Sequence, residues 1–427
     1  MTGSEQSPGR ERRVVITGLG AVTPIGNDVP TAWAALLAGK SGGGPITQFD
    51  ATEDFPTRVA CEVKDFDASH VIDAKEIRRY DRFAQFGLVA SAEAMASAGL
   101  PDGPGDAVDP ARFGVIFGSG IGGINTFEEQ HRIMLKRGPR RVSPFFIPMF
   151  IPDIAAGLIS IKFGAKGPNY ATVSACASSA HAIGDAFRAI ARGDVDMMLA
   201  GGTESTITPM TVAGFAAMRA MTTRNDEPET ASRPFDATRD GFVIGEGSGA
   251  LVLEALDHAL ARGATIHGEI AGYGATGDAY HITSPPPEHL GAQDAMRRAL
   301  ADAGADPSEV DYVNAHGTST PVNDEHETIA IKAVLGSRAH EIVVGSTKSM
   351  TGHLLGASGA VEAIACAKVM SEGLIPQTIN FTTPDPTCDL DYAHEGTVER
   401  PVGLALSNSF GFGGHNVCLA LRRWDGS

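Results

Sequence analysis

Ala171-Thr172-Val173-Ser174-Ala175-Cys176-Ala177-Ser178-Ser179-Ala180 runs a β-branched stretch into small residues and then into His181-Ala182-Ile183-Gly184-Asp185-Ala186-Phe187. That pattern predicts a strand, a tight turn and a helix opening at Cys176. A thiol at a helix N-terminus sits at the positive end of the macrodipole, which favours the thiolate and makes the sulfur nucleophilic. Most lone cysteines are inert core residues, so this placement needs support from elsewhere in the chain.

Two distant segments supply it. Tyr312-Val313-Asn314-Ala315-His316-Gly317-Thr318-Ser319-Thr320 and Val344-Gly345-Ser346-Thr347-Lys348-Ser349-Met350-Thr351-Gly352-His353 each place a histidine just beyond a short apolar strand, in a Gly/Ser/Thr turn where backbone can approach a ligand. The carboxyl ends of strands are where open α/β sheets hold their chemistry. A cysteine with histidines in distant segments is the pattern of a nucleophile and its helpers.

The same grammar recurs along the chain. Short apolar runs end in small-residue turns at 14–18, 115–118, 198–202, 313–317, 343–345 and 404–407, separated by amphipathic stretches such as 83–98, 292–303 and 325–335. Alternation of this kind predicts an α/β fold with strands covered on both faces. Pro285-Pro286-Pro287 and Thr382-Thr383-Pro384-Asp385-Pro386 read as surface loops, and no low-complexity linker divides the chain.

These segments resemble the β-ketoacyl-[acyl carrier protein] synthases, specifically the type II elongating branch of the thiolase-like superfamily. The match runs from Arg13-Val14-Val15-Ile16-Thr17-Gly18-Leu19-Gly20 through Thr223-Arg224-Asn225-Asp226, Ser232-Arg233-Pro234-Phe235-Asp236 and Arg239-Asp240-Gly241-Phe242 to Asn408-Ser409-Phe410-Gly411-Phe412-Gly413-Gly414. The resemblance implies a five-layered αβαβα fold in two similar halves. Residues 13–265 would hold the nucleophile and 266–427 the two histidines, after a disordered extension at 1–12.

It also implies roles. Cys176 would take an acyl group from a carrier protein's phosphopantetheine arm, with the N–H groups of Cys176 and Phe412 as oxyanion hole. His316 and His353 would stabilise the enolate left when malonyl carrier loses CO₂, and Lys348 with Glu362 would order the site electrostatically. Thr283, Thr318 and Thr320 would line the pantetheine tunnel, Ile121 and Phe215 the acyl pocket. Phe412, flanked by glycines, would gate the passage between them. Lys75, Arg78, Arg79 and Arg219 fall at the carrier-docking positions, and Phe145-Phe146 in a dimer-interface region. The expected activity is decarboxylative condensation in fatty acid elongation, with a type II polyketide ketosynthase as the alternative. No cofactor of the protein's own and no metal is expected. His415, after the double glycine, departs from the family pattern and receives no role.

Rival motifs fail on their own terms. Gly118-Ser119-Gly120-Ile121-Gly122-Gly123 satisfies G-x-G-x-x-G after a strand, but the acidic residue a dinucleotide fold wants about 20 positions on is replaced by the basic stretch Lys136-Arg137-Gly138-Pro139-Arg140-Arg141. Gly39-Lys40-Ser41 lacks the first P-loop glycine, where Ala34 stands, and His326-Glu327 fails as a zincin at Ala330. A noncatalytic chain-length partner would lack the cysteine.

Composition sets the remaining bounds. The 427 residues are 43% apolar, enough for a large core, with no apolar run of membrane-spanning length and no signal-type segment at the start, which predicts a cytosolic protein. Five scattered cysteines without a CxxC pair suit a reducing compartment. With 34 Lys and Arg against 51 Asp and Glu, the net charge of −17 argues against nucleic acid as a partner. It also means that an acidic carrier must find a local basic patch.

Overall fold

The computed structural model describes residues 12–426. Of the expected extension at 1–12, only Arg12 is described. Its guanidinium is anchored 2.8 Å from Asp196 and 2.9 Å from Asp257, which makes Arg12 part of the folded body.

Ten strands form one mixed sheet: β1 (Val14–Val22), β2 (Phe113–Gly118), β3 (Asn169–Tyr170), β4 (Met197–Glu204), β5 (Gly247–Ala255), β6 (Gly268–Gly277), β7 (Tyr312–Asn314), β8 (Val343–Gly345), β9 (Leu404–Gly411) and β10 (His415–Arg422). Their order is β8-β7-β9-β10-β6-β1-β5-β4-β2-β3. Each group of five therefore runs 3-2-4-5-1 by its own numbering. The pairings repeat as well. In both groups the fifth strand is antiparallel to the first and fourth, and the second is parallel to the third and fourth. Antiparallel pairing of β1 with β6 joins the groups. The fold is thus a duplicated α/β unit.

Among the described residues, the helices of ten or more residues are α1 (Arg82–Ser97), α2 (Ile124–Arg137), α3 (Ile154–Phe163), α4 (Ser178–Ala191), α5 (Leu290–Asp302), α6 (Pro321–Leu335) and α7 (Ser358–Glu372), with shorter helices in the connections. Helices α4 and α7 pack on each other and on strands of both halves, whereas α1 and α3 cover the first half-sheet and α5, with α6 against it, covers the second. That gives five layers with α4 and α7 in the middle. Every residue of β1, β4 and β5 is buried, the expected state of strands covered on both faces. The expected helices at 83–98 and 292–303 are found at Arg82–Ser97 and Leu290–Asp302, and the one at 325–335 begins earlier, at Pro321.

The nucleophile segment differs from its sequence reading. The strand is Asn169–Tyr170, residues 171–174 carry no regular structure, Ala175–Ala177 form a 3₁₀ turn, and the helix begins at Ser178. Local side-chain bonds take the place of a ladder there. Thr172 Oγ1 donates to the Ser178 carbonyl at 2.7 Å, Ser178 Oγ donates to the Ala175 carbonyl at 2.7 Å, and the Ser174 N–H donates to Ser178 Oγ at 2.9 Å. Hydroxyl side chains that bond nearby backbone compete with sheet pairing in this way.

The duplication extends to this turn. Ala175, with φ 51°, opens the 3₁₀ turn that leads from β3 into its helix; Leu355, with φ 48°, opens the 3₁₀ turn Leu355–Ala357 that leads from β8 into α7. Gly356 holds the place of Cys176. A Cβ there would come within 2.6 Å of a Glu204 carboxylate oxygen and 2.3 Å of the Gly120 nitrogen.

Candidate active site

Cys176, His316 and His353 meet at a cavity of about 750 Å³, although they arrive from three separate strand ends. The His353 Nε2 lies 3.0 Å from Cys176 Sγ, and the His316 and His353 ring centroids are 5.3 Å apart at 83°. All three side chains are buried. Ser358, the first residue of α7, places its Oγ 3.0 Å from His353 Nδ1. A hydroxyl both donates and accepts, so Ser358 supports either tautomer: Nε2 as a bare base facing the sulfur, or Nε2–H as a donor. Carboxylate Glu327 accepts from the backbone N–H groups of His316 and Gly317, each at 2.8 Å, and from Asn408 at 3.2 Å, fixing the histidine's turn.

Burial reverses the sequence expectation of a freely ionised thiol. It pushes Cys176 up to about 12, against the opposing effects of Lys348 and of the Phe412 and Cys176 amides, which bond the sulfur. The helix opens two residues later, at Ser178, and desolvation is the largest influence on the sulfur. The sulfur therefore needs an acceptor for its proton, and His353 Nε2 is within hydrogen-bond reach. Burial, followed by the Lys348 charge, holds both histidines well below their ordinary value, so they are neutral imidazoles.

The same two amides define a donor pair beside the sulfur. Gly411 lets the β9 end approach closely, since a Cβ there would lie 2.6 Å from the Ser174 carbonyl and 3.2 Å from the Cys176 nitrogen. Phe412 lines the cavity and lies 6.4 Å from Phe215, which in turn meets Phe242 at 5.3 Å; Phe242 packs edge-on against His353 at 5.4 Å.

Lys348 and Glu362 form an ion pair whose side chains are 1% and 2% exposed, and neither lines the cavity. The Lys348 charge acts on both histidines and the sulfur, and Glu362 compensates that charge. Removing one member of such a buried pair costs about 3–5 kcal/mol because the other is left uncompensated. Lys348→Met should therefore lose about that much stability in chemical denaturation. Lys348→Met/Glu362→Leu should recover most of it while activity stays low, which separates the electrostatic role from the fold.

Thr283, Thr318 and Thr320 all line the cavity, with the latter two hydroxyls 2.9 Å apart. Phe215 and Arg219 line it as well. Ile121 does not; it packs in the apolar cluster that contains Cys176, Phe215 and Leu355. Lys75, Arg78 and Arg79 are exposed and away from the cavity lining, on or just after the short helix Ala74–Ile77. The Arg79 guanidinium lies 4.8 Å over the ring of Phe145. Exposed His415 packs edge-on against His181 at 6.4 Å, outside the cavity lining.

The G-x-G-x-x-G turn has an occupant of its own. Buried Glu204 at the end of β4 accepts from the Gly120 N–H at 2.7 Å, the Ile121 N–H at 3.1 Å, Ser119 Oγ at 3.0 Å and, across the repeat, the Gly356 N–H at 3.0 Å. The donors that would cradle a pyrophosphate in a dinucleotide fold hold a carboxylate here. Glu204, Glu327 and Ser358 escape sequence reading because isolated Glu and Ser residues carry no motif. The repeated Ala-Ser-Gly/Ser-Ala at 177–180 and 357–360 is the one signal that could have drawn attention to Ser358.

Fold and site together define a thiolase-like protein. The family model for the beta-ketoacyl synthase N-terminal domain matches residues 11–259, and that for the C-terminal domain matches 267–382. A 3-oxoacyl-[acyl-carrier-protein] synthase 2 from Synechocystis is 54% identical over 97% of this chain and 99% of its own length, and one from Staphylococcus aureus is 53% identical over the same shares. Among solved structures, a beta-ketoacyl synthase from Burkholderia phymatum superposes with a TM-score of 0.89 at 38% identity, covering 97% of this chain and all of its own. A type II polyketide ketosynthase solved with its acyl-carrier protein gives 0.90 at 35%, with the same coverage. The chain belongs to the beta-ketoacyl synthase family.

Proposed function

We propose that the protein catalyses decarboxylative Claisen condensation of an acyl thioester with malonyl-[acyl carrier protein], the chain-elongation step of type II fatty acid synthesis. The observation that carries the mechanism is the convergence of Cys176 Sγ, two neutral imidazoles and two backbone amides on one cavity. Identity of 53–54% to relatives named as synthase 2, against 35% to the polyketide ketosynthase, supports the fatty acid assignment over the polyketide alternative.

In the first half-reaction Cys176 attacks the acyl carbonyl as its proton passes to His353 Nε2, and the N–H groups of Cys176 and Phe412 hold the oxyanion. The carbon–sulfur bond to pantetheine breaks, and the departing thiolate takes the proton from His353. In the second, malonyl carrier loses CO₂. His316 and His353, now N–H donors, stabilise the enolate oxygen. The enolate carbon bonds to the acyl carbonyl, the bond to Cys176 breaks, and the sulfur is reprotonated from solvent. The cycle is redox-neutral, and phosphopantetheine enters as part of the substrate. Incubation with malonyl carrier and a ladder of acyl carriers, followed by product masses, tests the assignment: products two carbons longer than each primer are expected, and their absence would reject it.

Docking of an acidic carrier is assigned to Arg219 at the cavity and to Lys75, Arg78 and Arg79 outside it. Reversing Arg78 and Arg79 to Glu should raise KM for carrier-bound substrate several-fold and weaken its salt dependence, since such charges act mainly on association. Turnover of a short acyl-pantetheine thioester should barely change. Equal losses with both substrates would mean that these arginines support the fold.

The working unit is taken to be a homodimer. β3 is an edge strand with Asn169 and Tyr170 exposed, and nearby elements expose Leu135, Ile147 and Ile161 at 71%, 57% and 80%. An uncovered edge with apolar neighbours invites a second copy. Among the described residues no helix is long and apolar enough to cross a membrane, and a cytoplasmic location fits carrier-dependent synthesis.

A further inference from the structure

Cys176 Sγ and one ring nitrogen each of His316 and His353 all lie within 4.8 Å of one another. A thiolate and two imidazoles are the ligand set zinc prefers. With Zn–S near 2.3 Å and Zn–N near 2.0–2.1 Å, a tetrahedral site holds its sulfur and nitrogens roughly 3.5 Å apart. The present separation of 3.0 Å from Cys176 Sγ to His353 Nε2 needs only a small outward shift. Ser358 already occupies the other nitrogen of His353, the outer partner that orients a metal-binding imidazole. The cavity supplies an open fourth position for water.

We propose that Cys176, His316 and His353 form a reversible inhibitory site for Zn²⁺, a function of the triad separate from condensation. Binding replaces the thiol proton: the S–H bond breaks, a sulfur–zinc bond forms and the proton leaves to solvent, with no change of oxidation state. Zinc at this position withdraws the sulfur from acyl transfer and both imidazoles from the enolate. The surrounding charges set a moderate affinity. The Lys348 ammonium acts on all three ligands and opposes a dication, while its partner Glu362, and Glu204 beside Cys176, offset it. The inhibition rests on the condensation reading; the metal site itself rests on the ligand geometry.

Metal-free protein titrated with Co²⁺ should take up one ion per chain with a thiolate-to-cobalt absorption band, and Zn²⁺ should displace it. Saturating Zn²⁺ should slow alkylation of Cys176 by iodoacetamide at least about 10-fold, with chelator restoring the rate. His316→Ala should weaken zinc by more than the roughly 10-fold lower bound for losing an outer-shell partner. Protein whose Cys176 has been alkylated, which keeps the native chain, should show no cobalt band. Unchanged zinc affinity in the alkylated protein, or no cobalt band in the wild type, would overturn the metal site and leave the nucleophile assignment standing. Zinc bound at Cys176 with condensation intact would overturn both the inhibition and the nucleophile assignment, leaving metal binding alone.

Discussion

Cys176→Ser is expected to accumulate no acyl-enzyme when incubated with acyl carrier, and to lose condensation by several orders of magnitude. An alcohol holds its proton more tightly than a thiol and is a weaker nucleophile at the same place. In this site the difference is enlarged, because burial already pushes the thiol up to about 12 and its proton must pass to His353 Nε2, 3.0 Å away. Ser is close to Cys in size, so the fold and the amides of Cys176 and Phe412 should persist. Intact-protein mass spectrometry reads the result. An undiminished adduct in the variant would place the nucleophile elsewhere.

His316→Ala and His353→Ala should each slow CO₂ release from malonyl carrier by about two to three orders of magnitude, the usual effect of removing one oxyanion donor. The two should differ in the first half-reaction. His353 is the residue within reach of the sulfur, so its loss should also slow acylation, whereas His316→Ala should acylate near the wild-type rate. Glu327 holds the turn of His316 through backbone N–H groups that survive the substitution. Labelled CO₂ release and adduct mass measured on the same samples separate the steps. Normal release from both variants would make the histidines structural.

The triad was legible in the sequence because each member follows a short apolar run and sits among Gly, Ser and Thr, a local signal that survives without tertiary information. The strands at 14–22, 113–118 and 312–314 were legible for the same reason. Half the sheet's central strands were harder to see. Gly247–Ala255 is buried throughout and shows no alternation, and Gly268–Gly277 and His415–Arg422 carry glycine and polar residues that obscure the period. The thiol's state was misread because a helix N-terminus is visible in sequence and burial of the sulfur is not. The resemblance assigns Ile121 to the acyl pocket, and no local signal shows that its N–H is held by Glu204, 83 residues away. Such bonds depend on the duplicated topology, and the topology shows only once the strands are paired.

The proposed mechanism routes every acyl group through Cys176. Enzyme preloaded with an isotope-labelled acyl group, freed of excess carrier and mixed with malonyl carrier in a single turnover, tests it directly. The label should map to the Cys176 peptide, and its loss from the protein should match in rate and amount the appearance of labelled β-ketoacyl carrier two carbons longer. A label on another residue, or unlabelled product formed while the adduct persists, would contradict the account.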